Sequence, residues 1–320
     1  MLSWGKALTS NYSFLRKEKF LGIPDSKLEI WSKLGATKSA INTHLSIRNA
    51  IEKYDWPSNL DYEVYLQGSY KNNTNIRGDS DVDVVTQLNS TFKYNISTLS
   101  QLEQDLFRQD YQDSEYSWSI FRTEVLKALQ SYFGTHLIEE GKKTIKLKPD
   151  TGFLAADIVV CLQYRNYNYY RGLKNQDYAD GMKFWVPTEG RWIINYPKIH
   201  YDNATEKSGR TNGLYKRFVR IFKNARSYLI DQKIIDKSLA PSYFIECLLY
   251  NISDGEFQTP LSAGFLAILR NLIEAINNDT VGNYVCVNEQ VYLIGDGPEE
   301  WAFNKLDAFV NEIGNLWNNW

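Results

Sequence analysis

Residues 66–88 read LQGSYKNNTNIRGDSDVDVVTQL, with a Gly-Ser pair a short way before Asp81 and Asp83. The β-branched run around these aspartates is typical of a strand. Residues two apart on a strand face the same side, about 7 Å apart along the chain, so both carboxylates face one way. Val82 and Val84 then face the core. A strand that served only the fold would not need two acidic side chains on one face.

Paired carboxylates of this kind indicate a metal site. Two like charges about 5 Å apart repel by about 3 kcal/mol at an effective dielectric near 20. Cations relieve that repulsion, and Asp oxygens suit Mg²⁺ or Mn²⁺. Two metals held by shared carboxylates clamp the attacking and leaving oxygens of phosphoryl transfer. The alternative for Asp81 and Asp83 is a solvated strand face.

A third carboxylate is Asp157, in the apolar run GFLAADIVVCLQYR. A bare aspartate would be costly to bury there, so we expect it to complete the site, with a hydrogen-bonded edge residue as the alternative. A calcium loop does not fit: Asp79, Asp81 and Asp83 have its spacing, but Val84 and Ser90 replace the required Gly and acidic residue. The Walker pattern is absent.

Phosphate ligands are expected from two further segments. Gly68 lets backbone N–H groups approach a phosphate closely, and Ser69 adds a hydroxyl donor. Lys216, Arg220 and Lys223 recur at i, i+4 and i+7, which predicts a basic helical stripe opposite an apolar face. Such a stripe alone is typical of a solvated face, whereas beside a metal site it forms a cationic wall for a triphosphate.

The segment LAPSYFIECLLY, residues 239–250, predicts another helix. Ser242 lies near its N-terminus, where anions are favoured. Tyr243 is able to stack on a base, with an ordinary core aromatic as the alternative.

Composition restricts the class of protein. The chain has 320 residues, 43% of them hydrophobic, and a formal net charge of −2, which argues against a protein that coats nucleic acid. Its three cysteines form no CxxC pair, so neither a zinc site nor a disulfide framework is expected. No apolar run approaches 18 residues, and the N-terminus lacks a signal core. We therefore expect a cytoplasmic protein without membrane contact.

Periodicity predicts a mixed first part and a helical second part. Residues 26–54 predict one long helix, or two that are broken near Gly35. Strands are expected at YEVYLQGSY, DVDVVTQL, TIKLK and GFLAADIVVCLQYR, helices over 97–133, and irregular structure at WVPTEGRWIINYP. From about Asn212 onward the pattern is mainly helical.

At this point the sequence resembles the polymerase-β-type nucleotidyltransferase superfamily. QGSYKNNTNIRGDSDVDVV is most similar to the bacterial cGAS/DncV-like nucleotidyltransferases (CD-NTases). NYPKIHYDNA, VRIFKNAR and PSYFIECLL extend the resemblance over residues 60–250, and the N-terminal helix resembles the spine helix of that family. The resemblance implies a bilobal α+β fold with a mixed sheet. It places the catalytic lobe and spine helix in residues 1–200 and a helical lobe that closes the nucleotide cleft in 201–320.

The resemblance also implies roles for single residues. Asp81 and Asp83 would bind two Mg²⁺ ions, with Mn²⁺ as a substitute, and Asp157 would bind the catalytic metal and help deprotonate the acceptor hydroxyl. The implied nucleotide ligands are Gln67, Gly68, Ser69, Arg220, Lys223, Ser242 and Tyr243.

The implied function is synthesis of a cyclic di- or trinucleotide second messenger from nucleoside triphosphates, with release of pyrophosphate, in anti-phage signalling. We expect a monomer that reaches its effector only through the product. Two alternatives are open: a transferase that adds nucleotides to RNA or protein, and a catalytically silent nucleotide-binding module. An enzyme of the first kind would consume ATP or GTP with Mg²⁺ alone, a tailing enzyme would need RNA, and a silent module would release no pyrophosphate.

Overall fold

The structure is a computed structural model that describes residues 22–56, 60–77 and 80–320. Asp79, the first acidic residue of the calcium-loop alternative, and residues 1–21 lie outside these ranges. Contacts between Cα atoms divide the chain into two compact units. The helical unit contains residues up to Gly35, Asn73–Ile76 and Asp202–Trp320, and the sheet unit contains Ala36–Asn72 and Arg77–Tyr201.

The described part of the sheet unit contains a mixed seven-stranded sheet. Its strands are β1 (Tyr62–Leu66), β2 (Val82–Asn95), β3 (Ile138–Glu140), β4 (Ile145–Leu147), β5 (Ala156–Tyr170), β6 (Gln176–Val186) and β7 (Arg191–Asn195). The order runs β1-β2-β5-β4-β3, and β6 pairs with both β5 and β7. Strands β2 and β5 run parallel, and the other pairs are antiparallel. The long central strands β2 and β5 therefore lie side by side.

Helices cover one face of this sheet. They are α2 (Lys38–Glu52), α3 (Gly68–Asn72), α4 (Gln101–Asp110) and α5 (Trp118–Phe133). Apolar side chains of α2 and α5 pack in one cluster with Val82, Val84, Ala156 and Ile158. Since side chains alternate along a strand, the residues between these positions face the opposite side of the sheet. This is the face on which the acidic residues lie.

The helical unit is built around α7 (Leu214–Asp231). Its other helices are α1 (Asp25–Trp31), α8 (Ser242–Tyr250), α9 (Leu261–Asn277) and α10 (Phe303–Asn318), with 3₁₀ turns at Asp254–Glu256 and Val281–Asn283. Helix α6 (Pro197–Arg210) contains the boundary between the two units. Apolar residues from α1 and α7–α10 form one continuous core. The amphipathic pattern of α7 explains this position, since its apolar face is buried completely.

Three sequence expectations meet the structure differently. The predicted helix over residues 26–54 is two helices, α1 and α2, as the second alternative held. The segment predicted as irregular is the β6–β7 hairpin, whose strands pair from Met182↔Asn195 to Val186↔Arg191. The boundary predicted near residue 200 falls at 201/202, but the prediction that all preceding residues form one lobe is wrong. Residues up to Gly35 and Asn73–Ile76 cluster with the helical unit because α1 packs on α7 and α9.

Within the described ranges, no helix combines the length and apolar character needed to cross a membrane.

Candidate active site

Two of the predicted carboxylates are direct neighbours on adjacent strands. In the parallel β2–β5 ladder, Asp83 is the register partner of Asp157. Neighbouring strands lie about 4.8 Å apart, so the two side chains start from adjacent positions. Their flanking residues Val84 and Ile158 are completely buried in the helix-backed core, so both carboxylates face the other side. Both are half-buried.

Asp81 lies just before β2, which begins at Val82. It is two residues from Asp83, which places it on the same face by strand alternation, and it is exposed. The prediction that Val82 points into the core is confirmed, since Val82 has no exposed surface.

Thr144 orients Asp157, and sequence reasoning did not find it. Its Oγ1 donates a hydrogen bond to Asp157 Oδ1 over 2.8 Å. Lys146, on β4, is the register partner of Asp157 on the side away from β2. A hydroxyl that fixes one carboxylate oxygen determines the rotamer of the aspartate. The only signal in the sequence is a threonine at the start of TIKLK, and this has no meaning until the β4–β5 pairing is known.

The Gly68 turn touches Asp83. Gly68 has φ +66°, and a Cβ on it would lie 2.2 Å from Asp83 Oδ2. The neighbouring Gln67 N–H donates to the Asp83 carbonyl (3.0 Å), and Tyr70 Oη donates to the Ser80 carbonyl (3.2 Å). Only glycine combines this left-handed conformation with so close an approach to a carboxylate. The turn that contains Gly68 and Ser69 is therefore held against the carboxylate pair.

The donor set of this face suits a hard divalent cation. In the part of the chain that the structure describes, no three His, Cys, Asp or Glu side chains converge closely enough to hold a metal ion. The side chains present are nevertheless all carboxylates, two of them in register on adjacent strands. Carboxylate oxygens are the ligands that Mg²⁺ and Mn²⁺ prefer. The residues therefore fit such an ion by donor chemistry.

Helix α7 of the helical unit buries cations, contrary to the solvated-face alternative. Arg220 is 9% exposed; its Nε donates to the Ser32 carbonyl and its Nη1 to the Asn73 carbonyl, both over 2.6 Å. Burial, and then repulsion from Arg217, lowers the pKa of Arg220 to about 10. The charged guanidinium is thus destabilised where it stands, and a nearby anion would offset that cost.

Lys223, one turn further along α7, is also buried. Its Nζ donates to the Thr74 carbonyl (3.0 Å) and to Glu246 Oε1 (2.8 Å). Lys216, the first member of the stripe, is half-buried, and burial lowers its pKa. The stripe therefore faces protein at Arg220 and Lys223 and is partly open at Lys216. Thr74 and Glu246 were not found from the sequence, because their pairing spans residues far apart in the chain.

Ser242 and Tyr243 begin helix α8. Arg226, on α7, donates from Nη1 to the Ala240 carbonyl (2.9 Å) and to Ser242 Oγ (3.3 Å), which fixes the first turn of α8. The ring of Tyr243 lies 5.9 Å from that of Trp301, and its Oη accepts from Asn288 Nδ2. Tyr243 thus packs partly on the core of the helical unit.

The structure brings the predicted residues together in two sets, each within one unit. The sheet unit holds Asp81, Asp83, Asp157, Gln67, Gly68 and Ser69, and the helical unit holds Arg220, Lys223, Ser242 and Tyr243.

Two family models match the chain. Residues 47–147 match the nucleotidyltransferase domain, and residues 202–318 match the C-terminal helical domain of the cGAS/DncV-like nucleotidyltransferases. The first range contains Asp81 and Asp83, and the second contains the cations of α7.

Curated relatives cover almost the whole chain. A cyclic UMP-AMP synthase from Rhodothermus marinus (strain SG0.5JP17-172) is 45% identical over 298 residues, which are 93% of this chain and 99% of the relative. The cyclic nucleotide synthase CdnE01 from Staphylococcus haemolyticus is 40% identical over 303 residues, again 93% of this chain and 99% of the relative.

Solved structures agree with these relatives. The Rhodothermus marinus CdnE c-UMP-AMP synthase with Apcpp and Upnpp has a TM-score of 0.85 at 45% identity, over 93% of this chain and 97% of that one. The Elizabethkingia meningoseptica CdnE cyclic dinucleotide synthase with GTP and Apcpp has a TM-score of 0.73 at 27% identity, over 92% and 98%. The α+β nucleotidyltransferase fold, the enzyme class and the kinship with cyclic nucleotide synthases that the sequence predicted are confirmed. The chain belongs to the cGAS/DncV-like nucleotidyltransferase family.

Proposed function

We propose that this enzyme condenses two nucleoside triphosphates into a cyclic dinucleotide. In each of two steps, a ribose hydroxyl oxygen forms a bond to the α-phosphorus of a triphosphate. The bond from that phosphorus to the bridging oxygen breaks, and pyrophosphate leaves. Two such steps close the ring and release two pyrophosphates. The observation that carries the proposal is the register of Asp83 with Asp157 beside the Gly68 turn.

The three carboxylates have distinct tasks in this proposal. Asp81 and Asp83 would hold two Mg²⁺ ions, or Mn²⁺ in their place, and Asp157 would share the catalytic ion. Such ions supply positive charge to the attacking and leaving oxygens. Asp157 would also accept the hydroxyl proton. Thr144 supports this task because its hydrogen bond holds one Asp157 oxygen and fixes the orientation of the carboxylate.

The triphosphate tail would be held by both sets of residues. Gln67, Gly68 and Ser69 would contact it from the turn beside Asp83. Arg220 and Lys223 would supply positive charge, and the lowered pKa of Arg220 supports this because an anion would stabilise its charged form. Ser242 accepts a hydrogen bond from Arg226, so its own hydroxyl hydrogen points elsewhere and is able to donate to a phosphate oxygen.

We further propose that one uridine and one adenosine nucleotide form the ring. The 45% identity to the Rhodothermus marinus cyclic UMP-AMP synthase supports this pair. Tyr243 would stack on the donor base with the ring face that is not packed on Trp301. The enzyme would act as a monomer in anti-phage defence and reach its effector only through the diffusible product.

Omission of single nucleotides tests the base choice. Purified protein is incubated with Mg²⁺ and with all four nucleoside triphosphates, then with each one left out in turn. We expect a phosphatase-resistant product that needs UTP and ATP and has the mass of a cyclic UMP-AMP. A product that survives the omission of UTP would contradict the uridine assignment. A requirement for added RNA would replace the proposal by a tailing activity.

Removal of divalent ions tests the carboxylate site. With excess EDTA we expect product formation to stop while the melting temperature changes little, because the fold does not depend on the ion. Activity should return when Mg²⁺ or Mn²⁺ is added in excess of the chelator. Calcium, which is larger and accepts more ligands, serves as the control ion and should restore little activity. Full turnover in EDTA would contradict the metal assignment.

A further inference from the structure

The ammonium of Lys223 is completely engaged inside the helical unit. A lysine has three N–H donors. Nζ donates to the Thr74 carbonyl and to Glu246 Oε1, and Thr74 Oγ1 lies 3.4 Å away. Thr74 Oγ1 in turn donates to the same Glu246 oxygen over 2.7 Å. A phosphate oxygen that reaches Lys223 therefore has to displace or weaken one of these contacts.

Glu246 is the negative partner in that contact. The side chains of Lys223 and Glu246 are only 3% and 7% exposed, so solvent screens their attraction poorly. Lys216 also interacts electrostatically with Glu246. Glu246 lies one turn after Ser242 on α8, so both side chains project from the same side of the helix. An incoming triphosphate would be repelled by Glu246 and attracted by the cation that Glu246 now neutralises.

We propose that Glu246 competes with the triphosphate of the substrate for Lys223, so that a buried carboxylate sets how tightly the enzyme holds its nucleotide. This inference rests on the proposed function, in which Lys223 contacts the triphosphate. Glu246 is a positioning residue, because it acts on the substrate through Lys223. In the absence of nucleotide it keeps the ammonium compensated, and with nucleotide bound it weakens the lysine–phosphate contact.

The test uses Glu246→Gln, which keeps the volume and an oxygen that can accept from both Lys223 and Thr74. Inorganic triphosphate in the presence of Mg²⁺ is the probe, because it lacks a base and reports on the phosphate subsite alone. We expect its Kd, measured by titration calorimetry, to fall at least about fivefold. We also expect the melting temperature of the unliganded protein to fall, because an uncompensated charge is left buried. Opposite changes in affinity and stability are not expected from a merely structural residue.

Asp254→Asn is the matched control. Asp254 pairs with Lys207, another buried lysine of the helical unit, over 2.8 Å. Its loss should lower the melting temperature without changing the Kd for triphosphate. In the double variant Lys223→Met/Glu246→Gln the affinity gain should vanish, because the residue on which Glu246 acts is gone.

Each failure has its own signature. If Lys223→Met is folded and binds triphosphate like the wild type, Lys223 is not a phosphate ligand, and that part of the proposed function falls together with this inference. If Lys223→Met binds more weakly but Glu246→Gln does not bind more tightly, the competition alone is refuted. An equal gain in Asp254→Asn would also refute it.

Discussion

Replacing Asp83 by asparagine should abolish product formation. Asp83 and Asp157 are register partners, and asparagine keeps the shape but removes the charge that holds a divalent ion. Loss of several kcal/mol of charge stabilisation at the reacting phosphate corresponds to a rate decrease of about 10³-fold or more. The measurement is the rate of pyrophosphate release with saturating nucleotide and Mg²⁺.

The Asp83→Asn variant should remain folded. Asp83 lies on the sheet face opposite the helix-backed core, and the substitution removes repulsion from Asp157. We therefore expect an unchanged or higher melting temperature in the absence of metal. Asp177→Asn is the control, since Asp177 lies on β6 and accepts a hydrogen bond from Asn168 Nδ2. It should keep wild-type turnover. Near-normal turnover of Asp83→Asn would contradict the assignment of the site.

Replacing Gly68 by alanine should have the second largest effect. The added Cβ would lie 2.2 Å from Asp83 Oδ2, in a backbone conformation with φ +66°. Either the turn or the carboxylate has to move, and a displacement of about 1 Å in an active site can reduce the rate about 10²-fold. We expect a decrease of that size in kcat, measured by the same pyrophosphate assay.

Gly190→Ala separates backbone strain from contact with the carboxylate. Gly190 has φ +61°, almost the same as Gly68, but a Cβ there meets nothing within 4 Å. Both substitutions should lower the free energy of unfolding by about 1 kcal/mol or more, and only Gly68→Ala should lose activity. Equal activities of the two variants would show that closeness to Asp83 has no catalytic consequence.

Local patterns predicted the carboxylate strand well. The alternation of Asp81 and Asp83 with Val82 and Val84 determines which side chains face the core, because the period of a strand is two. The pairing of Asp83 with Asp157 is not a local property, since the two positions are 74 residues apart in the sequence. The sequence indicated that Asp157 joins the pair, but only the parallel β2–β5 ladder shows them in register.

The surroundings of the basic stripe were harder to predict. Periodicity places Arg220 and Lys223 on one face of α7, but it does not show what covers that face. Segment Asn73–Ile76 does so, with carbonyls that accept from both cations. The β6–β7 hairpin was missed for a different reason. The turn VPTEG, residues 186–190, interrupts the alternation on which strand prediction depends, and the two strands become visible only as a pair.

The most direct test of the central claim is a comparison of products made by the wild type and by Asp83→Asn. Both proteins, at equal concentration and with their melting temperatures recorded, are incubated with radiolabelled nucleoside triphosphates and Mg²⁺, and the products are treated with phosphatase and analysed by mass spectrometry. The account predicts a phosphatase-resistant cyclic dinucleotide from the wild type and none from the folded variant. Linear or RNA-attached products from the wild type, or the same cyclic product from both proteins, would contradict it.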